Sequence, residues 1–341
     1  MLRLALPSKG EMEEPTLAFL KSCGLTVERH NARQYTAEIP SLGHTAVLFQ
    51  RAADIPAKVQ EGSVDLGITG LDIVRESLKE DSDTVVLLED LGYGGCELVV
   101  AVPETWIDVT AMADLVELAD DMRARGTELR VATKFFRLTR QFFAQKGLNY
   151  FSLVASTGAM EVAPAMGFAD IIVDLTASGT TLRENGLKTL GDGTLLRSQA
   201  CLLGNLAMLK ANPDALETTK AILEMSEARL RAGGYFSVTA NMQGDSPEAV
   251  AQRVISQPQA AGMRGPTVSK VYSRFGQGQD WFAVTVMVRK DDFLQAVEHL
   301  RKMGGSSVTV ASPNYVFEGE STAYRNLLNA LERDASATLS A

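Results

Sequence analysis

The 341-residue sequence contains few histidines and cysteines, three of each. No two histidines stand in an HExxH or similar arrangement, so hydrolysis by a histidine-ligated zinc or by a Ser-His-Asp triad is poorly supported. The cysteines are far apart and odd in number, which gives neither a disulfide framework nor the CxxC spacing of a metal site. These scarcities direct attention to other residue types.

Long apolar runs and an excess of positive charge are also missing. No apolar run reaches the roughly 18 residues that a transmembrane helix needs. The opening MLRLALPSKGEMEEP has only a short apolar stretch before acidic residues, unlike a signal peptide. The net charge of −9 disfavours nonspecific binding to nucleic acid but is compatible with a local basic pocket for phosphates. We expect a cytoplasmic protein that binds neither membranes nor nucleic acid.

What the sequence does contain is an ordinary globular composition with a regular alternation of element types. Hydrophobic residues make up 45% and charged residues 22%. Through the N-terminal two-thirds, short apolar strands alternate with helical patterns, which predicts an α/β fold. The predicted strands are 2–6, 45–49, 65–69, 85–88, 98–102, 129–132, 151–154 and 170–175. The predicted helices are 13–22, 55–61, 71–78, 110–125 and 136–146, with short helices near 160 and 180.

This order predicts two catalytic lobes around a cleft, like the core of a periplasmic binding protein. Lobe I takes residues 1–96 and 190–212, because the chain returns to it through 200–206, and lobe II takes residues 97–189. Ligands of open α/β sheets bind at the carboxyl ends of the strands, so the cleft is the expected site. No internal repeat is recognised.

A separate C-terminal module follows a connecting helix, residues 213–233. Residues 234–318 read as strand, helix, strand, strand, helix, strand, which is the βαββαβ order of a ferredoxin-like domain. Such a domain is often regulatory, although a purely structural or oligomerising role is the alternative. The tail, residues 319–341, is expected to add one helix.

The segment DIIVDLTASGTTL, residues 170–182, is the most informative part of the sequence. An apolar strand ends in a carboxylate, a loop of small and hydroxylated residues follows, and a helix then begins. Small residues let the backbone approach an anion closely, and a helix N-terminus offers free N–H groups. The pattern predicts a phosphate-binding loop without the lysine of a Walker A motif. A helix N-cap rich in Ser and Thr is the plainer alternative.

The two carboxylates of this strand are not expected to be equivalent. Asp170 and Asp174 lie four residues apart, roughly 13 Å along an extended strand. Asp174 is at the carboxyl end, so we assign it to ribose hydroxyls or their Mg²⁺. Asp170 is at the far end and is expected to be a turn or cap residue.

Several motifs stand in order along the chain. They are LALPSKG (4–10), DIP (54–56), GSVDLGITG (62–70), LGYGGC (91–96), RVATK (130–134), EVAP (161–164), the 174–181 loop, NGL (185–187), PT (266–267) and GGSS (304–307). Together they resemble the long form of the ATP phosphoribosyltransferase family, which carries a histidine-binding C-terminal regulatory domain. The resemblance covers about residues 2–318.

The resemblance implies a pentosyltransferase that joins the phosphoribosyl group of phosphoribosyl pyrophosphate to N1 of ATP, at the first step of histidine biosynthesis. N1 carries a lone pair, so an obligatory histidine base is not expected. Mg²⁺ would be held mostly by phosphate oxygens, with Asp174 as a candidate ligand. The family further implies feedback inhibition by L-histidine, and assembly of the chain into dimers and hexamers.

Site residues follow from the same comparison. We expect Asp174 and Glu161 to be catalytic, and the phosphoribosyl pyrophosphate site to comprise Asp174, Thr176, Ala177, Ser178, Gly179, Thr180 and Thr181. The ATP site is expected to comprise Lys9, Gly10, Arg51, Asp72, Tyr93, Lys134 and Arg137. The histidine effector is expected to contact Thr267, Gly305, Ser306 and Ser307.

Plainer readings exist for some of these residues. Asp72 would serve equally as a helix cap, Tyr93 as a packed turn aromatic, and Glu161 as a first-turn carboxylate. The sequence also departs from the family pattern. Glu11 and Glu97 stand where many members carry arginine, and Gly305 where alanine is usual.

Three other functions fit parts of the pattern. A solute-binding protein would share the two lobes, but such proteins are usually exported. A phosphoribosyltransferase with another acceptor base would keep the fold. An inactive regulatory homologue would not need the intact 174–181 loop.

Overall fold

A computed structural model of the chain describes residues 1–29, 31, 34–78, 82–155, 158, 160–256, 262–272 and 280–339. The last two residues of the predicted tail lie outside this set. The chain divides into two compact units, Met1–Ala221 with Ala323–Ala341, and Ile222–Thr322. No helix among the described residues is long and apolar enough to cross a membrane.

The first unit begins with an α/β lobe, as predicted. Its apolar strands are nearly continuous because both faces of the sheet are covered, and LRLALP is buried at four consecutive positions. The elements are β1 (Leu2–Pro7), α1 (Glu13–Ser22), β2 (Thr36–Glu38), β3 (Thr45–Gln50), α2 (Ile55–Gln60), β4 (Leu66–Gly70), α3 (Leu71–Ser77) and β5 (Thr84–Leu88).

The chain then crosses into lobe II and later returns. The elements of lobe II are β6 (Cys96–Pro103), α4 (Met112–Ala124), β7 (Leu129–Thr133), α5 (Phe136–Gln145), β8 (Phe151–Ala155), β9 (Ile171–Thr176), α6 (Thr180–Glu184) and β10 (Leu187–Ser198). The return elements are β11 (Ala200–Asn205), α7 (Leu206–Ala211) and α8 (Pro213–Ala232). The two-lobed architecture predicted from the sequence is therefore present.

The lobe boundary differs from the prediction, which returned the chain to lobe I at residue 190. β10 pairs with β6 from Leu187 to Ser198, so lobe II extends to Ser198. The sequence hides this strand because Gly191, Asp192 and Gly193 interrupt it. They form a bulge outside the ladder, where Asp192 Oδ1 accepts a hydrogen bond from Met112 N at the start of α4.

The two lobes repeat one topology, although no repeat is recognisable in the sequence. Among the described residues the sheet orders are β2-β3-β1-β4-β11-β5 and β8-β7-β9-β6-β10. In each lobe three parallel strands are followed by two antiparallel ones. Each lobe also carries the same bidentate ion pair, Arg3 with Asp65 and Arg130 with Asp170, with matching distances of 2.8 Å. The correspondence between the lobes therefore lies in the sheet order and in one ion pair, and not in a repeated sequence.

The second unit has the predicted ferredoxin-like order. Its elements are β12 (Tyr235–Gln243), α9 (Pro247–Ile255), β13 (Thr267–Val271), β14 (Trp281–Arg289), α10 (Phe293–Lys302) and β15 (Ser306–Ala311). The antiparallel sheet has the order β13-β14-β12-β15. Alternate residues such as Val238, Val284 and Val286 are buried against Val250 and Leu300 of the two helices.

The tail forms the expected helix, α11 (Thr322–Leu339). Its residues from Ala323 onward group with the first unit rather than with the ferredoxin-like unit. Ala323, Leu327 and Leu331 recur every four residues and are buried, so the helix has one apolar face.

Candidate functional site

A cleft of about 410 Å³ lies in the first unit, between the two lobes. Lobe I contributes the end of β4 and the start of α3, and lobe II contributes the loop after β9. The cleft brings together Asp72, Glu161, Thr176, Ala177, Ser178, Thr180 and Thr181 of the predicted site. A cavity of about 470 Å³ elsewhere in this unit is larger, but the 174–181 loop does not line it. The smaller cleft is therefore the candidate active site.

The loop after β9 folds into a compact turn with its hydroxyl groups at the cleft. Thr176 Oγ1 accepts a hydrogen bond from Gly179 N at 2.9 Å, and Ser178 Oγ donates to Thr180 Oγ1 at 3.0 Å. Gly179 has a φ of 69°, a left-handed conformation that favours glycine. Because α6 has only five residues, its macrodipole is small, and an anion would depend on local N–H and hydroxyl donors.

Asp174 stands at the carboxyl end of β9, as predicted, with a side chain only 14% exposed. Lys134 Nζ lies 3.4 Å from Asp174 Oδ1, close enough for an ion pair. The geometry is not that of a hydrogen bond, and Oδ1 accepts none from the described residues. Oδ1 is therefore buried beside the Lys134 ammonium, which compensates its charge without a hydrogen bond.

Asp170 lies at the opposite end of the strand and has a structural contact. Its two carboxylate oxygens accept hydrogen bonds from Arg130 Nη2 at 2.8 Å and from Arg130 Nε at 3.2 Å, and Oδ2 also accepts one from Arg130 N. As predicted, the carboxyl end of β9 leads into the cleft and Asp170 lies at the other end. The partner differs from the expected turn or cap, because Asp170 ties β7 to β9.

Asp72 is in the first turn of α3 and is 5% exposed. Ser198 Oγ donates to Asp72 Oδ1 at 2.6 Å and accepts from Asp72 N at 2.9 Å. The half-buried Cys96 lies at the same place in the cleft. Burial, and secondly the charge of Asp72, raise the pKa of the Cys96 thiol, which keeps it protonated and weakly nucleophilic.

The cations predicted for ATP are dispersed. Lys9 with Gly10 follows β1 and Arg51 follows β3, and these neighbouring strands end at the same edge of the sheet. Both side chains are exposed, and neither lines the cleft. Lys134 follows β7 and reaches Asp174. Arg137 lines the other cavity, where its N and Nε donate to Glu76.

Tyr93 and Glu161 have different surroundings. Tyr93 OH is 2.8 Å from Thr16 Oγ1, and its ring packs at 5.7 Å from that of Phe19. Burial raises the pKa of the Tyr93 hydroxyl above its usual range. These contacts fit the interpretation of Tyr93 as a packed aromatic residue of a turn. Glu161, in contrast, lines the cleft from the short helix Met160–Val162.

Comparison with known proteins identifies the family. The sequence model described as HisG, ATP phosphoribosyltransferase, matches residues 51–227, and the one described as HisG, C-terminal domain, matches residues 232–312. The chain is 39% identical to the ATP phosphoribosyltransferase of Rhodopseudomonas palustris (strain BisB18), over 95% of this chain and 96% of that protein. The chain belongs to the ATP phosphoribosyltransferase family. It is thus a pentosyltransferase, of the long form with the C-terminal domain.

Other relatives differ in length and location. "ATP phosphoribosyltransferase 2, chloroplastic" of Arabidopsis thaliana is 42% identical over 97% of this chain and 80% of that protein. The ATP phosphoribosyltransferase of Brucella melitensis biotype 2 is 48% identical over 67% of this chain and 97% of that protein. Because an organellar relative exists, the cytoplasmic location of this chain stays a prediction.

A solved structure supports the fold alone. The "ATP phosphoribosyl transferase (HisG:HisZ) complex from Thermotoga maritima" is 24% identical and has a TM-score of 0.51, over 67% of this chain and 98% of that chain. That match agrees with the two-lobed core described above.

Two residues that contact the candidate site were not recognised in the sequence. Arg183 Nη2 donates to Thr180 Oγ1 at 3.2 Å, and its Nη1 would lie 2.9 Å from a Cβ added at Gly179. The spacing of three residues along α6 was the available signal. Ser198 had no local signal, because it meets Asp72 only through the return of the chain.

The predicted effector residues do not meet within one chain. Thr267 is on β13 and Ser307 on β15, at opposite edges of the ferredoxin-like sheet. Two strands lie between them, so about 14 Å separates these edges. Ser306 lies at the start of β15, opposite Asn241 of β12. Ser307 has a φ of 51°, an unusual value for a residue other than glycine.

Gly305 is already engaged in capping α10. Gly304 N donates to Arg301 O at 3.0 Å and Gly305 N donates to Leu300 O at 2.8 Å, as in a Schellman motif. The Gly305 N–H, used at the helix end, is therefore not free to bind an effector carboxylate. An added Cβ would lie 2.5 Å from Leu300 O, so a larger residue at this position would require the end of α10 to shift.

Proposed function

We propose that this chain transfers the phosphoribosyl group of phosphoribosyl pyrophosphate to N1 of ATP, at the first step of histidine biosynthesis. The N1 lone pair forms a bond to C1 of the ribose, and the C1–oxygen bond breaks with its electron pair leaving on pyrophosphate. The products are phosphoribosyl-ATP and pyrophosphate. Membership of the family gives the class of reaction, and the 174–181 loop at the cleft is the observation that carries the assignment to this chain.

The loop would bind the phosphoribosyl end of the donor. Thr176, Ser178, Thr180 and Thr181 provide hydroxyl groups at the cleft, and Gly179 allows the backbone to turn. Asp174, at the carboxyl end of β9, would accept from the ribose hydroxyls once they replace its contact with Lys134. Catalysis would then come from positioning and from stabilising the leaving group, as expected for a nucleophile that needs no base.

The charge of the cleft supports a requirement for Mg²⁺. Glu11, Asp72 and Glu161 line it, and no Lys or Arg does among the described residues. Lys134 and Arg183 stand at its margin, through Asp174 and Thr180. Two polyanionic substrates would be repelled by such a lining, so we expect them to enter as magnesium complexes. Mg²⁺, when bound, would neutralise phosphate oxygens, with Asp174 as the fitting protein ligand.

Acceptor profiling tests this function. The chain is incubated with phosphoribosyl pyrophosphate, Mg²⁺ and one acceptor at a time: ATP, adenine, hypoxanthine, uracil or orotate. We expect pyrophosphate release with ATP at least about 100-fold faster than with any free base. Turnover with a free base instead would indicate another phosphoribosyltransferase, and binding without turnover would indicate a solute-binding or regulatory protein.

L-Histidine is the proposed inhibitor, acting through the second unit. A histidine that contacted both Thr267 and Ser307 would have to lie between two chains, because one chain holds them at opposite edges of a sheet. Such a site would couple inhibition to assembly, since the effector would bind one oligomeric state better than another. We therefore propose histidine-sensitive dimers and hexamers for this chain.

A further inference from the structure

Asp72 is buried at the wall of the cleft, and two hydrogen bonds with Ser198 hold it in place. Its carboxylate is 5% exposed and still lines the cleft. Ser198 Oγ both donates to Oδ1 and accepts from Asp72 N, so one hydroxyl fixes the side chain and the backbone together. Ser198 is itself only 2% exposed. The side chain therefore has one orientation before any ligand arrives.

Gly70 provides the room for that orientation. A Cβ at Gly70 would lie 2.4 Å from Asp72 Oδ1 and 3.7 Å from Oδ2. Gly70 has a φ of −75°, which any residue can adopt, so contact with the carboxylate, and not backbone freedom, is what an added side chain would disturb. The Asp72 carboxylate packs against Gly70, which has no side chain, on one side and is hydrogen-bonded to Ser198 on the other.

The second carboxylate oxygen remains for a ligand. Oδ2 accepts no hydrogen bond from the described residues, whereas Oδ1 has the short bond from Ser198. A carboxylate in the first turn of a helix is favoured by the dipole alone. That preference explains the residue type, but it does not require burial at the wall of a cleft or a dedicated hydroxyl from another lobe.

Within the described part of the chain, no hydrogen bond fixes the carboxylate of Glu11 or Glu161, which also line the cleft. Glu11 is exposed, and Glu161 is in the short helix next to the phosphate loop, on the side assigned to the phosphoribosyl group. Asp72 lies across the cleft, in lobe I, near the crossing at Gly94 and Gly95. A preorganised acceptor on this side would face the acceptor substrate, ATP, rather than the donor.

We propose, building on the function proposed above, that Asp72 Oδ2 accepts a hydrogen bond from the 6-amino group of the adenine ring, and that Ser198 is the positioning residue that fixes it. A carboxylate accepts hydrogen bonds but donates none, so it discriminates against a 6-oxopurine, whose oxygen it would repel. When N1 bonds to C1 of the ribose, the ring becomes positively charged and part of that charge lies on the 6-amino group. The same carboxylate then stabilises the product side of the reaction.

The test compares the binding of ATP and ITP, which carry the same triphosphate. ITP has an oxygen in place of the 6-amino group and a hydrogen on N1, so it presents no donor at the 6 position. Calorimetry with Mg²⁺ and the full chain is expected to give an affinity for ATP at least about 10-fold higher. Asp72→Asn is expected to reduce the ratio to within about 3-fold, because an amide can donate to the 6-oxo group. Glu11→Gln, in the same cleft, is expected to keep the wild-type ratio. A wild-type ratio near one, an unchanged ratio in folded Asp72→Asn, or a loss confined to Glu11→Gln would each overturn the proposal.

Two further measurements keep the proposal testable if Asp72→Asn does not fold. The unmodified chain should bind purine riboside triphosphate, which lacks only the 6-amino group, at least about 10-fold more weakly than ATP; equal binding would overturn the proposal. Ser198→Ala should lower the ratio of ATP affinity to ITP affinity and leave the affinity for phosphoribosyl pyrophosphate unchanged. An equal loss of affinity for ATP and for phosphoribosyl pyrophosphate would indicate a structural role for Ser198 and contradict its role in positioning Asp72. All these ratios concern binding, so they remain readable even if the chain fails to form phosphoribosyl-ATP, which would count against the proposed function instead.

Discussion

At the scale of single residues, Gly179 is the position where the loop is least tolerant of a side chain. We predict that Gly179→Val abolishes phosphoribosyl pyrophosphate binding in calorimetry, because a Cβ would lie 2.9 Å from Arg183 Nη1 and the φ of 69° is strained for valine. Gly186→Val is the matched control. Gly186 has a φ of 68°, but nothing lies within 4 Å of its added Cβ. Equal binding of phosphoribosyl pyrophosphate by the two variants would contradict the assignment of the 174–181 loop as its binding site.

Asp174 in β9 and Asp170 just before it are expected to have different roles, the first in catalysis and the second in stability. Asp174→Asn should lower kcat/KM by a factor on the order of 10² or more, since it weakens an acceptor aimed at the substrate. Asp170→Asn should leave kcat/KM within about 3-fold but lower the melting temperature. Its bidentate partner Arg130 is 43% exposed, so solvent screening limits the loss of stability to about 1 kcal/mol. Activity assays that rank the two variants in the opposite order would refute the assignment of the site.

The position of a residue could be predicted from the sequence where strand direction decides it. Thr176 ends a parallel strand, and Ser178, Thr180 and Thr181 follow that strand, so their place at the cleft follows from topology. The cations were less predictable, because a position after a strand fixes the Cα but not the direction of a long side chain. Arg137 illustrates this, since it begins a helix near the cleft but binds Glu76 beside another cavity.

At the scale of elements, most helix and strand limits could be predicted within two residues, because apolar periodicity and cap residues mark them. α1 (Glu13–Ser22) has the predicted extent, and α5 (Phe136–Gln145) ends one residue before its predicted limit. β10 was missed because Gly191 and Gly193 are turn signals, and only the pairing with β6 makes the segment a strand. Tertiary pairing of this kind is not contained in a local pattern.

The end of α10 gives a prediction at this scale. Gly305→Ala should destabilise the ferredoxin-like unit by about 1–3 kcal/mol, because the new Cβ would lie 2.5 Å from Leu300 O in the helix cap. Urea unfolding followed by the fluorescence of Trp281, on β14 of that unit, measures the change. Gly319→Ala serves as control, since nothing lies within 4 Å of its added Cβ. If Gly305→Ala is as stable as the control, the capping account is incorrect.

At the scale of the whole molecule, the repeat of the lobes could not be seen in the sequence. The repeated features are a sheet order and one Arg–Asp pair per lobe, Arg3 with Asp65 and Arg130 with Asp170. The partners in each pair are separated by 62 and 40 residues, so no fixed spacing reveals them.

Inhibition by histidine makes a prediction about assembly. Thr267→Val and Ser307→Ala should each weaken inhibition by histidine. The histidine concentration that gives half inhibition should rise at least about 10-fold, as expected when a hydrogen bond at an effector site is lost. If two chains share the site, mixing the two variants and allowing subunit exchange should restore inhibition to a fraction of the sites. Unmixed variants are the control. An active full-length chain that is indifferent to millimolar histidine would contradict the regulatory role.

The central claim is that this chain makes phosphoribosyl-ATP. The most direct measurement is to incubate it with ATP, phosphoribosyl pyrophosphate and Mg²⁺, and to isolate the nucleotide product. The account predicts phosphoribosyl-ATP with the new bond at N1, formed together with an equal amount of pyrophosphate, and only when all three components are present. Pyrophosphate release without ATP, or attachment of the ribose at another atom, would contradict it.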